Sequence, residues 1–241
     1  SDAGRANVTS SNNTFVGSAA GDANTTGTGN TFLGRNAGGA NTTAGSNTFL
    51  GSSAGIATTT GNQNTFVGTN AGLLNVTGTK NVFLGFSAGS NNTASNNTII
   101  GNSAGMGNTS GGQNTIIGQG AGFSNTTGAN NTFVGQSSGV SNTTASDNTF
   151  IGTGAGSANT TGIENVFIGA NTATGNSTGN RNHIIGVSTA KGMSSGSDNL
   201  VIGKDAAFVM DTGSQNILLG TEAGYANLVS GNIFIGHQSG K

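Results

Sequence analysis

Two adjacent large apolar residues recur along this chain, each time inside stretches of Asn, Thr, Ser, Gly and Ala. The first copy is Asn13-Thr14-Phe15-Val16-Gly17. Its opening asparagine returns as Asn30, Asn47, Asn64, Asn81, Asn97, Asn114, Asn131, Asn148, Asn165, Asn182, Asn199, Asn216 and Asn232. The spacing is 17 residues, with two steps of 16 at 81–97 and 216–232. The first column is always Asn, the fourth always aliphatic and the fifth always Gly. The third is Phe in nine of fourteen copies and Ile, Val or Leu in the others. A second phrase, usually x-x-Ala-Gly as in Asn36-Ala37-Gly38, follows each copy, and a third, Asn-Thr-Thr-Gly as in 24–27, closes the unit. A fixed period of this size marks an array in which each unit stacks on its neighbours.

The pattern predicts a short strand, a Gly turn, a tight corner, a second extended piece and a Gly turn back. Phe and β-branched residues suit a pleated, packed surface, and Gly supplies corners whose positive φ other residues resist. No stretch of ten or more residues has the 3.6-residue period of a helix. The expected fold is all-β: a parallel β-roll or β-solenoid of about fourteen 17-residue coils stacked at ~4.8 Å. Residues 1–12 read as an incomplete leading coil and 13–241 as a single repeat domain, regular over 13–164 and degenerate over 165–241. The fourteen asparagines are expected to form a structural ladder, each amide bonding to the adjacent rungs or to nearby backbone.

Columns three and four point to opposite faces of a strand. Because both are apolar in every copy, both faces are expected to be buried: one inside the coil, the other against a second surface. With about three large aliphatic or Phe side chains per coil, one chain alone buries little apolar area, so association along the stack is expected, as a parallel homotrimer.

Composition narrows the function classes. Of 241 residues 45 are Gly, only 6% are charged, and the formal net charge is −1. With no Lys/Arg cluster there is no phosphate-neutralising footprint, which argues against nucleic acid and against anionic membrane surfaces. No apolar run approaches the ~20 residues of a membrane span. Zero Cys excludes disulfides and thiolate metal sites. The absence of Pro fits a chain whose backbone N–H groups are needed for ladders. Beginning in mid-pattern at Ser1 without a Met, the chain reads as a fragment or processed piece.

The tandem Asn-Thr-Phe-(Val/Leu/Ile)-Gly-x-x-Ala-Gly units resemble the head repeats of trimeric autotransporter adhesins, and related repeats of bacterial surface fibres and phage-like tail fibres that often precede an endosialidase-type intramolecular chaperone. The resemblance covers 13–240. It implies a trimeric, extracellular, cell-surface or fibre-appendage protein with an adhesive or spacer role, whose partner would be a glycan or surface protein.

Catalysis needs converging polar groups, and eight acidic residues and two His are scattered over fourteen coils. No enzyme activity, cofactor or structural metal is expected. His183 in column two and His237 after a column-five Gly read as polar substitutions on a rung and a corner. Triplets such as Asn24-Thr25-Thr26 match glycosylation acceptors, but the repeat itself generates them. The position five residues after the column-five Gly is variable and often large: Ile56, Leu73, Met106, Phe123, Lys191, Phe208 and Tyr225 among others. It predicts a stripe that either packs between chains or offers Phe123, Phe208 and Tyr225 as stacking platforms for sugar rings. Nine of the fifteen charges fall from Glu164 onward, where the Ala-Gly phrase also degrades, which suggests capping or recognition. The leading expectation is a non-enzymatic trimeric fibre or adhesin segment. The alternatives are an ice-binding solenoid with flat Thr columns and a passive spacer.

Overall fold

The computed structural model describes residues 2–226 and 229–241. Fourteen strands of three residues fall on the fourteen phrases, and none of the described residues is helical. The chain divides into two compact units, to residue 119 and from residue 120. The first holds β1 Thr14–Val16, β2 Thr31–Leu33, β3 Thr48–Leu50, β4 Thr65–Val67, β5 Val82–Leu84, β6 Thr98–Ile100 and β7 Thr115–Ile117. The second holds β8 Thr132–Val134, β9 Thr149–Ile151, β10 Val166–Ile168, β11 His183–Ile185, β12 Leu200–Ile202, β13 Ile217–Leu219 and β14 Ile233–Ile235. Within each unit every strand pairs in parallel with the next, column on column, as in Phe32↔Phe49 and Phe150↔Phe167. The architecture is a parallel β-solenoid with one strand per coil.

The expected second extended piece is not a strand. Residues between strands follow turns, because each coil sets several residues at positive φ: Asn36 at +60°, Gly38 at +57° and Ser46 at +59° in one coil. These turns still bond coil to coil, as in Gly38 N–H to the Ala54 carbonyl (3.0 Å) and Thr25 N–H to the Thr42 carbonyl (2.9 Å). Backbone groups are therefore satisfied around most of each coil and not only at the strand. The column-five Gly is fixed by two constraints at once. Gly34 sits at φ +141°, and a Cβ there would lie 2.4 Å from the Gly51 carbonyl oxygen of the next coil, so no other residue fits.

Columns one and three point into the coil. Phe32, Phe49, Phe66 and Phe83 are wholly buried and stack at 4.7–4.8 Å with interplanar angles of 3–7°. Phe150 and Phe167 repeat this in the second unit at 4.7 Å. Opposite the rings lies a buried alanine rank (Ala37, Ala54, Ala71) followed by the Gly whose Cβ position the ring occupies. At Gly38 an added Cβ would come within 2.5 Å of Phe32. In the degenerate coils the Gly becomes Ala173, Ala190 and Ala207, all at positive φ, while the strand residue six earlier is Phe167, Ile184 and Val201 in turn. At Ala190 and Ala207 a smaller strand residue makes room for the added methyl group; at Ala173 the ring is kept. Thr189 replaces the rank alanine before Ala190 and donates its hydroxyl to the Gly203 carbonyl (2.6 Å).

The remaining interior is polar. Within each unit the Oδ1 of a column-one Asn accepts the backbone N–H of the next, as in Asn64 N–H to Asn47 (2.9 Å). Its Nδ2 donates across the coil, as in Asn47 to the Gly61 carbonyl (2.8 Å). Asn30 through Asn216 in this column are at most 1% exposed, while Asn13 and Asn232 in the outermost coils are half-buried. A second buried rank lies in the closing phrase, where Asn41 donates to the Asn24 Oδ1 (2.7 Å) and to the Ala44 carbonyl (3.1 Å). Asn142 and Asn159 continue it (2.7 and 3.0 Å).

Column four is where the expectation of two buried faces is not met within one chain. Val16, Leu33, Leu50 and Leu84 are 41–53% exposed, and Ile151, Ile185 and Ile202 are 37–39% exposed. These side chains point away from the coil, and among the described residues nothing folds back over them.

The second Asn rank generates a stability prediction. It is interrupted by Thr58, Met193 and Met210. The asparagines one rung before an interruption, Asn41 and Asn176, keep an amide oxygen without a donor, Asn75 and Asn92 leave both amide atoms unpaired, and the Thr58 hydroxyl is unpaired too. Thr58→Asn should supply the missing amide and stabilise the chain by about 1–3 kcal/mol, read as a rise in the thermal unfolding midpoint. A second test uses the ring pocket. Gly38→Ala should destabilise by about 1–3 kcal/mol through overpacking. Combined with Phe32→Val it should cost measurably less than the sum of the two single changes in a double-mutant cycle.

Candidate binding surfaces

Three-residue strands ending in a Gly turn leave columns two and four as the outward face of every rung. In the first unit this face alternates Thr with an aliphatic residue: Thr14/Val16, Thr31/Leu33, Thr48/Leu50, Thr65/Val67, Thr98/Ile100 and Thr115/Ile117, with Val82/Leu84 the one departure. Thr132/Val134 and Thr149/Ile151 continue it on β8 and β9. From β10 onward the Thr rank is lost. Val166/Ile168, His183/Ile185, Leu200/Ile202, Ile217/Leu219 and Ile233/Ile235 make the outward face of five rungs almost wholly aliphatic. His183 is exposed on this face, and His237 is exposed just after β14.

Of the residues singled out as stacking platforms, the fold brings Phe208 and Tyr225 together and leaves Phe123 five coils away, about 24 Å at ~4.8 Å per rung. Phe208 and Tyr225 lie face to face, with centroids 5.2 Å apart and planes 5° apart. Lys191 Nζ sits 5.7 Å from the centroid of Phe208, and Lys241 Nζ lies 5.6 Å from that of Tyr225. These four residues occupy one column of the repeat, so its rank reads cation, ring, ring, cation. The ring faces are thereby occupied by each other and by ammonium groups, and the rings turn their edges to solvent. A sugar stacking on Tyr225 would have to displace Lys241. Phe123 is 38% exposed.

Beside the ring edges an open cleft of about 450 Å³ is lined by Asp205, Phe208, Glu222, Tyr225 and Lys241. Asp205 and Glu222 stand three residues before the rings, at the corner that takes positive φ in every coil (+54° and +57°). Their presence in the cleft was readable from that offset. Lys241 contacts Glu222 at 2.5 Å, and Gln238 Nε2 donates to the same oxygen at 3.0 Å. The hydrogen bond from Lys241, then that from Gln238, hold the Glu222 carboxyl below the usual carboxylate range. At the corner before β11 and β12, Arg181 makes a two-point contact with Asp198 (2.7 and 3.0 Å). This bond raises the guanidinium pKa and lowers that of the carboxyl. Both pairs are solvent-exposed and screened, so their weight in stability is small.

Asn24, Asn41, Asn125, Asn142 and Asn159 of the glycosylation-like triplets are wholly buried in the second rank, out of reach of any modifying enzyme in the folded chain. Among the described residues no three His, Cys, Asp or Glu side chains gather closely enough to hold a metal ion, and no helix is long and apolar enough to cross a membrane. Comparison of the chain with family models, with curated proteins and with solved structures finds no match.

Two measurements follow from the aromatic column. A double-mutant cycle on Phe208→Ala and Tyr225→Ala should return a coupling of about 0.5–1.5 kcal/mol, whereas additive losses would mean that the rings act separately. A lowered carboxylate pKa contributes stability that is complete above the ordinary carboxylate range and is lost as pH falls through the lowered value. In an NMR titration, Lys241→Gln should therefore move the Glu222 midpoint upward, and an unchanged midpoint would contradict the pairing.

Proposed function

We propose that this chain is a non-enzymatic segment of a surface or tail fibre whose copies associate side by side as a parallel homotrimer. The observation that carries this reading is the column-four rank: a large aliphatic side chain on every rung, aligned with its copies and standing about two-fifths or more open to water on many of them. Contiguous exposed apolar surface of this kind marks an interface. The interior is complete without it, since rings, alanines and two amide ranks already fill the coil. An aliphatic residue in column four of all fourteen copies is then accounted for by something outside the single chain.

Extracellular display and adhesion to a glycan or surface protein rest on the likeness of the repeats to adhesin heads and fibre shafts. The contact region proposed for such a partner is the charged end of the second unit, around the cleft of Asp205, Glu222 and the edges of Phe208 and Tyr225. Light scattering coupled to size exclusion tests the assembly: the account expects three times the 23.3 kDa chain mass, and a single-chain mass at micromolar concentration overturns it.

A second reading has one observation in its favour. Within each unit the Thr and aliphatic ranks, β1–β4 and β6–β7 in the first and β8–β9 in the second, form regular uncharged rows one rung apart, a surface suited to ordered water in ice. Thermal hysteresis measured on the chain separates the two: none is expected of a fibre seam.

A further inference from the structure

The outward strand face changes character within the second unit, and that change locates the seam. On β8 and β9 a threonine hydroxyl shares each rung with one aliphatic residue, so half the face is content in water. On β10–β14 nine aliphatic side chains and His183 fill both outward columns. Ile185, Ile202 and Ile217 are 37–39% exposed, Ile233 and Ile235 on the last rung are 67% exposed, and the other four are half-buried. Together they leave on the order of 600 Å² open, comparable to the largest apolar patch of an ordinary monomer and near the ~800 Å² that each partner gives a standard interface. Nothing inside the coil requires the change, because column two does not point inward.

We infer that the face of β10–β14 is the principal self-association seam of this protein, and that its occupant is a second copy of the same chain, parallel and in register. The inference rests on the fibre reading above and assigns it a location. The repeat of the face selects a copy over an unrelated partner. The aliphatic rows recur at the rung spacing, so an identical stack sets row against row along all five rungs, whereas a globular surface has no such period. The charges that flank β12 are already paired within the chain, Asp198 with Arg181 and Lys204 with Asp205, so the edges of the face carry no bare charge that would keep two copies apart. Copies related by rotation about an axis along the stack close into a ring.

The test uses the full chain and two sets of outward substitutions that leave the coil interior alone. Leu200→Lys with Ile217→Lys should convert the assembly to single chains, or raise its dissociation concentration at least 100-fold, by sedimentation velocity. Thr31→Lys with Thr65→Lys, on the first unit's face, should leave the mass unchanged. Far-UV circular dichroism and a cooperative melt report folding. Should the lysine pair unfold the protein, Ile185→Ser with Ile202→Ser repeats the test without added charge. An assembly that survives the β12/β13 changes, or one dissolved by the β2/β4 changes, overturns the seam and leaves self-association standing. A wild-type chain that is monomeric at every concentration overturns the fibre reading and the seam with it.

Discussion

Each coil lies one strand spacing from its copy, and every inward side chain must therefore accept its own kind as nearest neighbour. Few residues can. Phenylalanine does so by stacking, and alanine by being small. Asparagine has one amide oxygen and one amide nitrogen, so it can accept from one rung and donate elsewhere without ever meeting like against like. Asn47 accepting the Asn64 N–H while donating to the Gly61 carbonyl is the unit from which the stack is built. A chain with so few large hydrophobes folds because half of its interior is a hydrogen-bonded amide array, in which each lost member leaves buried groups unpaired.

That constraint also explains the glycines and the composition. Turns that must bond to their copies cannot vary their path, so the same corner takes positive φ in coil after coil. Where the carbonyl of the next coil closes in, as at Gly34, only glycine fits. Charge is scarce because the interior excludes it and the outward strand face, once covered, would exclude it as well. The charges that remain stand at corners, where Arg181 meets Asp198 and Glu222 meets Lys241.

Much of this was legible from the 17-residue register. Period, strand positions, the opposite facing of columns three and four, and the asparagine ladder all follow from the columns alone. The second buried amide rank was in the sequence as Asn24, Asn41 and their successors, but it sits in a turn, where no strand alternation says which way a side chain points. The second piece of each coil was misjudged as extended for a related reason: Ser46 or Gln63 at positive φ carries no Gly signal, and only stacking on identical neighbours holds it there. The stacking-platform idea for Phe208 and Tyr225 rested on the residue types in the column. The lysines at 191 and 241 share that column and meet the outer ring faces, which the 17- and 16-residue steps could have indicated.

The most direct test of the account is the exchange of asparagine side-chain NH₂ protons, followed by NMR. The account predicts two slowly exchanging amide groups per regular coil, one from each rank, protected to the same degree as the strand backbone, with the second rank missing where Thr58, Met193 and Met210 stand and less protected at the unbonded Asn75 and Asn92 amides. Side-chain amides that all exchange at the rate of free asparagine, in a chain still folded by its backbone protection, would contradict it.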